Sequence, residues 1–225
     1  MHLYREFIYH HELAPINMKN KFYLLLLLLL PFSSFAQVIP LTNPSFEGVP
    51  RHSQLPKGWY DCGFPGESPP DTQPDPYNTF QVRMNAYEGR TYLGLVVRDN
   101  DTWESISQKL PQALEKDTCY TFSVFAAQSD NYISLSRATY KEVNYNTPVI
   151  IRLYGGFDYC EKTELLVASD PIVNNFWREF KFTFRPSKAY KHIVIEANYN
   201  TISYEPYNGN LLLDAVQLEK GCSSQ

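Results

Sequence analysis

From residue 37 onward, apolar side chains recur at every second position in short runs. Tyr120, Phe122, Val124 and Ala126 alternate with Thr121 and Ser123, and Phe180, Phe182 and Phe184 with Glu179, Lys181 and Thr183. Ile193, Ile195 and Ala197 alternate with His192, Val194 and Glu196. A period of two is that of a β-strand with one face turned to a core. Residues 91–97, 105–110 and 148–154 read as further strands, and no stretch of this part carries the period of a long amphipathic helix. Pro, Gly, Asn and Asp separate the runs, as turn residues should. One apolar and one mixed face per strand predicts two antiparallel sheets packed together, an all-β sandwich.

The last run, 211–218, reads Leu-Leu-Leu-Asp-Ala-Val-Gln-Leu. Strict alternation turns Asp214 to the same face as Leu212, Val216 and Leu218. A carboxylate on a core face needs a partner, because an unpaired buried charge is costly. Two connections stand out by length. Residues 62–78 contain Pro65, Pro69, Pro70, Pro74 and Pro76, which excludes a central strand and predicts a surface loop tied down at Cys62. Residues 129–147 are rich in Tyr, Ser and Asn. Long loops on a rigid sandwich often carry function.

Residues 1–36 change the picture of where the chain works. Seven leucines, 24–30, follow Lys19 and Lys21 and precede Ser34-Phe35-Ala36. This is the pattern of a secretory signal peptide cut after Ala36, with Met18 a better start for it than Met1. The apolar run is too short to span a bilayer comfortably, no other long apolar stretch occurs, and no Cys follows it directly for a lipid anchor. The expected mature chain, 37–225, is a single secreted domain without a transmembrane segment. Residues 1–36 hold three Lys or Arg and two Asp or Glu. Of 20 basic and 24 acidic residues, 17 and 22 remain, a net charge of −5. That balance offers no basic footprint for nucleic acid. Cys62, Cys119, Cys160 and Cys222 all lie in the mature part, and an even count in an exported chain predicts two disulfides. Three connectivities are open. If the strands starting at Cys119 and ending near Gly155 are antiparallel neighbours, Cys119 pairs with Cys160 and Cys62 with Cys222.

The order of short motifs adds a resemblance. Asn43-Pro44-Ser45-Phe46-Glu47 is followed by Pro56-Lys57-Gly58-Trp59, then by Glu88-Gly89-Arg90-Thr91-Tyr92-Leu93-Gly94-Leu95 and Cys119-Tyr120-Thr121-Phe122-Ser123. Trp177-Arg178-Glu179-Phe180-Lys181-Phe182-Thr183-Phe184 and Leu213-Asp214-Ala215-Val216 close the series. From residue 43 to 218 this resembles the galactose-binding-like jelly roll of carbohydrate-binding modules, as found in exported surface proteins of Gram-negative bacteria. The resemblance implies a two-sheet antiparallel jelly roll. It also implies a structural calcium held by Glu47 and Asp214 with backbone carbonyls. Ala215 departs from the second Asp that the family commonly has there.

Sugar recognition needs flat aromatic faces and planar polar groups. Trp59, after a Pro-Lys-Gly turn, and Trp177, at the head of a Phe-rich strand, read as core. Trp103 sits in a polar turn, 98–104. Tyr132, Arg137, Tyr140 and Tyr145 lie in the second long loop, and Tyr204 and Tyr207 just before the last strand. The expected ligand surface combines Trp103, Tyr132, Tyr145 and Tyr207 with Arg98 and Arg137. Catalytic signatures are sparse. The mature part has two histidines, His52 and His192, no Gly-x-Ser-x-Gly and no His-Glu-x-x-His. An acidic pair such as Asp99 and Glu104 is the nearest thing to glycosidase chemistry. The leading expectation is therefore an exported, non-catalytic carbohydrate-binding module for a glycan or polysaccharide at or outside the cell surface. A structural or adhesive surface protein that binds other proteins, and a small polysaccharide hydrolase, stay open.

Overall fold

A computed structural model describes residues 37–200 and 205–222. The expected leader and Tyr204 lie outside the described residues. In chain order the strands are β1 (Gln37–Val38), β2 (Tyr60–Asp61), β3 (Asp71–Gln73), β4 (Tyr92–Arg98), β5 (Thr102–Trp103), β6 (Ser105–Lys109) and β7 (Tyr120–Ala127). They continue with β8 (Ile133–Leu135), β9 (Glu142–Asn144), β10 (Val149–Gly156), β11 (Glu164–Ala168), β12 (Arg178–Phe184), β13 (His192–Tyr199) and β14 (Gly209–Lys220). Every strand pairing among them is antiparallel. The first sheet runs β12-β7-β14-β4-β3, with β1 added to β14 and β5 to β4; the second runs β11-β10-β13-β6-β2. This is the two-sheet antiparallel jelly roll that the alternating pattern and the motif order predict.

The alternation explains the core. Leu93, Leu95 and Val97 of β4, Phe122, Val124 and Ala126 of β7, and Leu211 and Leu213 of β14 face Ile106, Ile151, Leu153, Ile193, Ile195 and Ala197 of the second sheet. Each of the larger side chains, the two alanines apart, stabilises the fold by about 1.5–3 kcal/mol. Trp59 joins this core, as expected. All seven residues of β4 are buried, because its other face is covered too. Val82, Tyr92, Val96, Tyr132, Tyr145 and Leu212 form a second apolar cluster outside the first sheet. Trp177 packs against it, its ring edge-on to Tyr92 at 5.3 Å.

The cover comes from residues 80–86 and from the second long connection, and both long connections are less irregular than their composition suggests. The Pro-rich stretch contains β3, an edge strand, where flanking prolines are tolerated. The 129–147 stretch folds as the hairpin β8–β9. Asp99 clamps that hairpin to the body. It accepts the backbone N–H groups of Arg137 (2.9 Å) and Ala138 (3.2 Å) and the Ser136 hydroxyl.

Two expectations are corrected here. Strict alternation fails in β14. Its register against β7 shifts between Asp214 and Gln217, and Ala215 takes φ 47°. This bulge leaves Asp214 and Leu212 outside the sandwich, while Val216 and Leu218 enter the core. The disulfides are Cys62–Cys160 and Cys119–Cys222, with Cα atoms 5.2 and 5.5 Å apart. Strand β7 lies between β12 and β14, with Tyr120 opposite Lys220 of β14, so Cys119 and Cys222 meet at the sheet's end. Strand β10 belongs to the other sheet, and Cys160 in its turn meets Cys62 after β2.

Candidate functional site

Three places carry the residues singled out above. The first is the terminal bracket. Asp214 is fully buried; its Oδ2 accepts the N–H groups of Tyr87 (2.9 Å) and Glu88 (3.0 Å), and its Oδ1 that of Ala215 (2.8 Å). Glu47 Oε1 accepts the N–H groups of Arg90 (2.8 Å) and Thr91 (3.1 Å). Both carboxylates thus hold one turn, 87–91. Calcium wants oxygens free to face it, and here N–H donors face both carboxylates. Among the described residues no three His, Cys, Asp or Glu side chains gather as a metal set. With both Asp214 oxygens and Glu47 Oε1 taken by N–H donors, the bracket works as a backbone clasp. Chelation should therefore leave the melting temperature unchanged. Asp214→Ala strands three N–H donors, that of Ala215 buried and those of Tyr87 and Glu88 partly so, and should cost about 3 kcal/mol. A wild-type melting temperature that falls with chelator, in a calorimetric scan, would restore the cation.

The second place is a buried charge centre outside β4, where Arg98, Tyr132, Tyr145 and Arg137 do converge. Arg98 donates to Glu104, whose other oxygen accepts the Val96 N–H (3.0 Å). Glu67 takes Arg98 Nε at 3.5 Å and Arg137 at 2.9 Å. Asp71 accepts the Ser53 N–H (2.6 Å) and the Tyr132 hydroxyl. Burial pushes Glu104 up to about 8, against the pull of Arg98. Burial raises Asp71 as well, against its bonds from Tyr132 and Ser53. For Arg98, burial disfavours the charge, but Glu104 and Glu67 outweigh it and keep the guanidinium ionised. The pair is best described as a charged Arg98 beside a Glu104 that takes a proton readily. Only about 30 Å³ is open among these side chains, enough for one or two waters and far too small for a sugar ring. Tyr132 and Tyr145 are 3% and 2% exposed, so neither offers a ring face to a ligand. Asp99, occupied by the hairpin, is no partner acid for Glu104.

The third place is the outward face of the second sheet, and strand register builds it. Ile193, Ile195 and Ala197 point into the core, so Val194, Glu196 and Asn198 point out. Arg152 lies opposite Glu196 and Tyr154 opposite Val194, while Ser105 and Ser107 flank the same pair from β6. Glu196 is 1% exposed. It accepts Trp103 Nε1–H (2.8 Å), Asn198 Nδ2–H (2.8 Å) and the Tyr154 hydroxyl (3.4 Å), pairs with Lys162, and has Arg152 at 3.9 Å. Lys162 Nζ hangs 5.9 Å from the Trp103 ring and 5.8 Å from that of Tyr154. Phe64 packs edge-on to Trp103 at 4.8 Å. The Cys62–Cys160 bridge brings Tyr60 and Tyr159 together, their rings 4.9 Å apart and both about half exposed. Tyr159 in turn covers buried His192 at 4.5 Å.

Of the expected ligand set, Trp103 alone reaches this face. Tyr207 stands behind it: its hydroxyl bonds to the Pro148 carbonyl (2.7 Å), and its ring meets Tyr199, which packs on Trp103. Arg98, Arg137, Tyr132 and Tyr145 belong to the buried centre.

No protein-family model matches the chain, and no curated protein matches it. A cyclase from Fischerella sp. TAU is similar in structure at TM-score 0.54 and 15% identity, over 85% of this chain and 100% of that one. The K2 cleaved adhesin domain of Lys-gingipain is similar at 0.50 and 10%, over 84% and 100%. The CBM22-1 xylan-binding domain from Paenibacillus barcinonensis Xyn10C reaches 0.45 and 13%, over 84% and 100%, too weak a likeness to argue from. At such identities the likeness is one of fold. The side chains must argue the rest.

Glu196, Arg152, Tyr154, Lys162, Tyr60 and Tyr159 escaped the sequence reading. Two signals were present. Glu196 interrupts the apolar run Ile193-Val194-Ile195, and Arg152 and Tyr154 alternate with Ile151 and Leu153. What joins them is the pairing of β10 with β13, which no local pattern states.

Proposed function

We propose that this protein is an exported, non-catalytic glycan-binding module that recognises its ligand on the outward face of the second sheet. The observation that carries this reading is Glu196. A single buried carboxylate holds Trp103, Tyr154, Asn198, Lys162 and Arg152 on one strand face. Aromatic rings and planar polar groups are thereby set side by side before any ligand arrives, which lowers the cost of ordering them on binding. Rings suit the C–H faces of sugars. The guanidinium of Arg152 offers a planar fork of donors to hydroxyls. Two disulfides, expected of exported proteins, agree with work outside the cell.

Tyr60→Ala and Trp103→Ala should each weaken binding of the best ligand from a glycan array by roughly 10–100-fold. Tyr60 is 56% exposed, so its removal should leave the melting temperature in place. Titration calorimetry with both variants decides the matter. Unchanged affinity in both sinks this face as the site. Release of reducing sugar by the purified protein, lost in Glu104→Gln, would make it a hydrolase.

A further inference from the structure

A groove of about 300 Å³ lies on the side of the first sheet, where β7 ends and β12 begins; its walls come from Gln81, Arg83 and Met84, from Asp130 and Asn131, and from Asn175. This is the size of a small-ligand site. Buried polar groups hold each wall. Asp75, with no exposed side-chain surface, accepts the N–H groups of Phe80 (2.7 Å) and Gln81 (3.0 Å), and the Tyr92 hydroxyl donates to the Met84 carbonyl (2.7 Å). Buried Asn210 accepts the Ser129 N–H (2.8 Å) and donates to the Ser129 carbonyl (2.9 Å), while Asn144 donates to the Asp130 carbonyl (2.8 Å). Buried Asn174 donates to the carbonyls of Ala126 (2.9 Å) and Phe176 (2.7 Å), fixing the backbone on either side of Asn175. The groove is preorganised although its lining side chains are exposed.

The charges within it are unequal in availability. Asn175 Nδ2 lies 3.1 and 3.2 Å from the two Asp130 carboxylate oxygens, so that charge is partly answered. Arg83 donates through Nε to Asn78 (3.1 Å), which sets the guanidinium plane, and none of the ion pairs among the described residues includes it. A guanidinium held at Nε presents its terminal nitrogens as a fork that matches a carboxylate. Around it stand groups that match hydroxyls: the amides of Gln81 and Asn131 and the carboxylate of Asp130. Met84 supplies an apolar contact for ring C–H groups.

We propose that this groove is a second binding site, separate from the strand face and independent of it, and that it takes a uronic-acid residue of an acidic polysaccharide. The sugar carboxylate meets Arg83, and the ring hydroxyls meet Asp130, Asn131 and Gln81. A neutral sugar leaves Arg83 unanswered.

The test is titration calorimetry of the full mature protein with oligogalacturonide, with oligoglucuronide and with their carboxyl-reduced counterparts. Binding of at least one uronate oligomer, weakened roughly tenfold or more by carboxyl reduction and again by Arg83→Gln, is the expected result. Asn131→Ala should weaken it as well, while Tyr60→Ala leaves it alone. No binding of either uronate, or equal binding by the Arg83→Gln variant, overturns the proposal. So does a loss in Tyr60→Ala, which moves the acidic sugar to the strand face. If no glycan depends on Tyr60 or Trp103 for binding, the strand-face reading falls and the uronate result stands unaffected.

Discussion

Replacing Arg98 by methionine should destabilise the protein by about 3–5 kcal/mol at neutral pH. Arg98 is 3% exposed and is the cation that Glu104 and Glu67 share. Without it, Glu67 loses a cation partner, and buried Glu104 must hold its proton beside Asp71 at the cost of the charge-assisted bond it had with Arg98. The effect should depend on pH in a defined direction. Glu104 is raised by burial to about 8 and Asp214, likewise by burial, to about 6. A carboxyl raised in the fold binds more protons there than in the unfolded chain, so stability falls as pH rises. Its contribution is complete below the unfolded value near 4 and is lost as pH rises through about 6 for Asp214 and about 8 for Glu104. Glu67, Asp75 and Asp99 work in the opposite direction. Burial raises them, but hydrogen bonds, joined at Glu67 by Arg98 and Arg137, outweigh it and lower them. Their contribution is present above about pH 4 and lost on further acidification. The wild type should melt highest near pH 5 and progressively lower toward pH 8. Glu104→Gln should flatten the upper part of that decline, and in Arg98→Met the decline should steepen. A melting temperature that rises between pH 5 and 8 would contradict the assignment of Glu104 as the proton-holding member.

Changing Cys119 and Cys222 together to serine should cost about 4–5 kcal/mol in the chain-entropy description of a cross-link. The two residues are 103 apart in sequence, so the bridge removes a large share of the unfolded chain's freedom. In the folded state it joins strand ends already adjacent through the Tyr120–Lys220 pairing, so the native sheet should survive its loss. The expected signature is a lower denaturant midpoint with an m-value equal to or larger than that of the wild type, since the uncrosslinked chain unfolds to a more open state. Unchanged midpoints would mean that the unfolded chain keeps these ends together by other means. The Cys62–Cys160 pair, 98 apart, should cost as much in stability. It should differ in function, because Tyr60 and Tyr159 lose the link that sets their rings together. Weaker glycan binding in the Cys62→Ser/Cys160→Ser variant, with none in the other pair, would separate the two bridges.

Local pattern alone determined the class of this protein. Period-two alternation marked the cores of β4, β6, β7, β10, β12, β13 and β14 because each has one face against the opposite sheet, and burial rewards that spacing directly. An even number of cysteines after a segment that reads as a leader pointed to two bridges. Trp59 was legible as core for the same reason: a large ring after a turn finds its best place between sheets. Tertiary structure decided what depends on partners distant in sequence. Which cysteines pair follows from β7 lying beside β14, a neighbour relation that joins segments about a hundred residues apart. Asp214 faces out of the sandwich because one residue, Ala215, takes a left-handed conformation and shifts the register, and a single slip in a period-two element exchanges its faces. Trp103, Tyr132 and Tyr145 look alike in sequence as aromatics in polar surroundings. The β8–β9 hairpin folds down over β4 and buries the two tyrosines, while Trp103 turns toward Glu196. The candidate site itself was illegible for the same physical reason. Arg152, Tyr154 and Glu196 are ordinary strand residues until antiparallel pairing of β10 with β13 sets them side by side on one face.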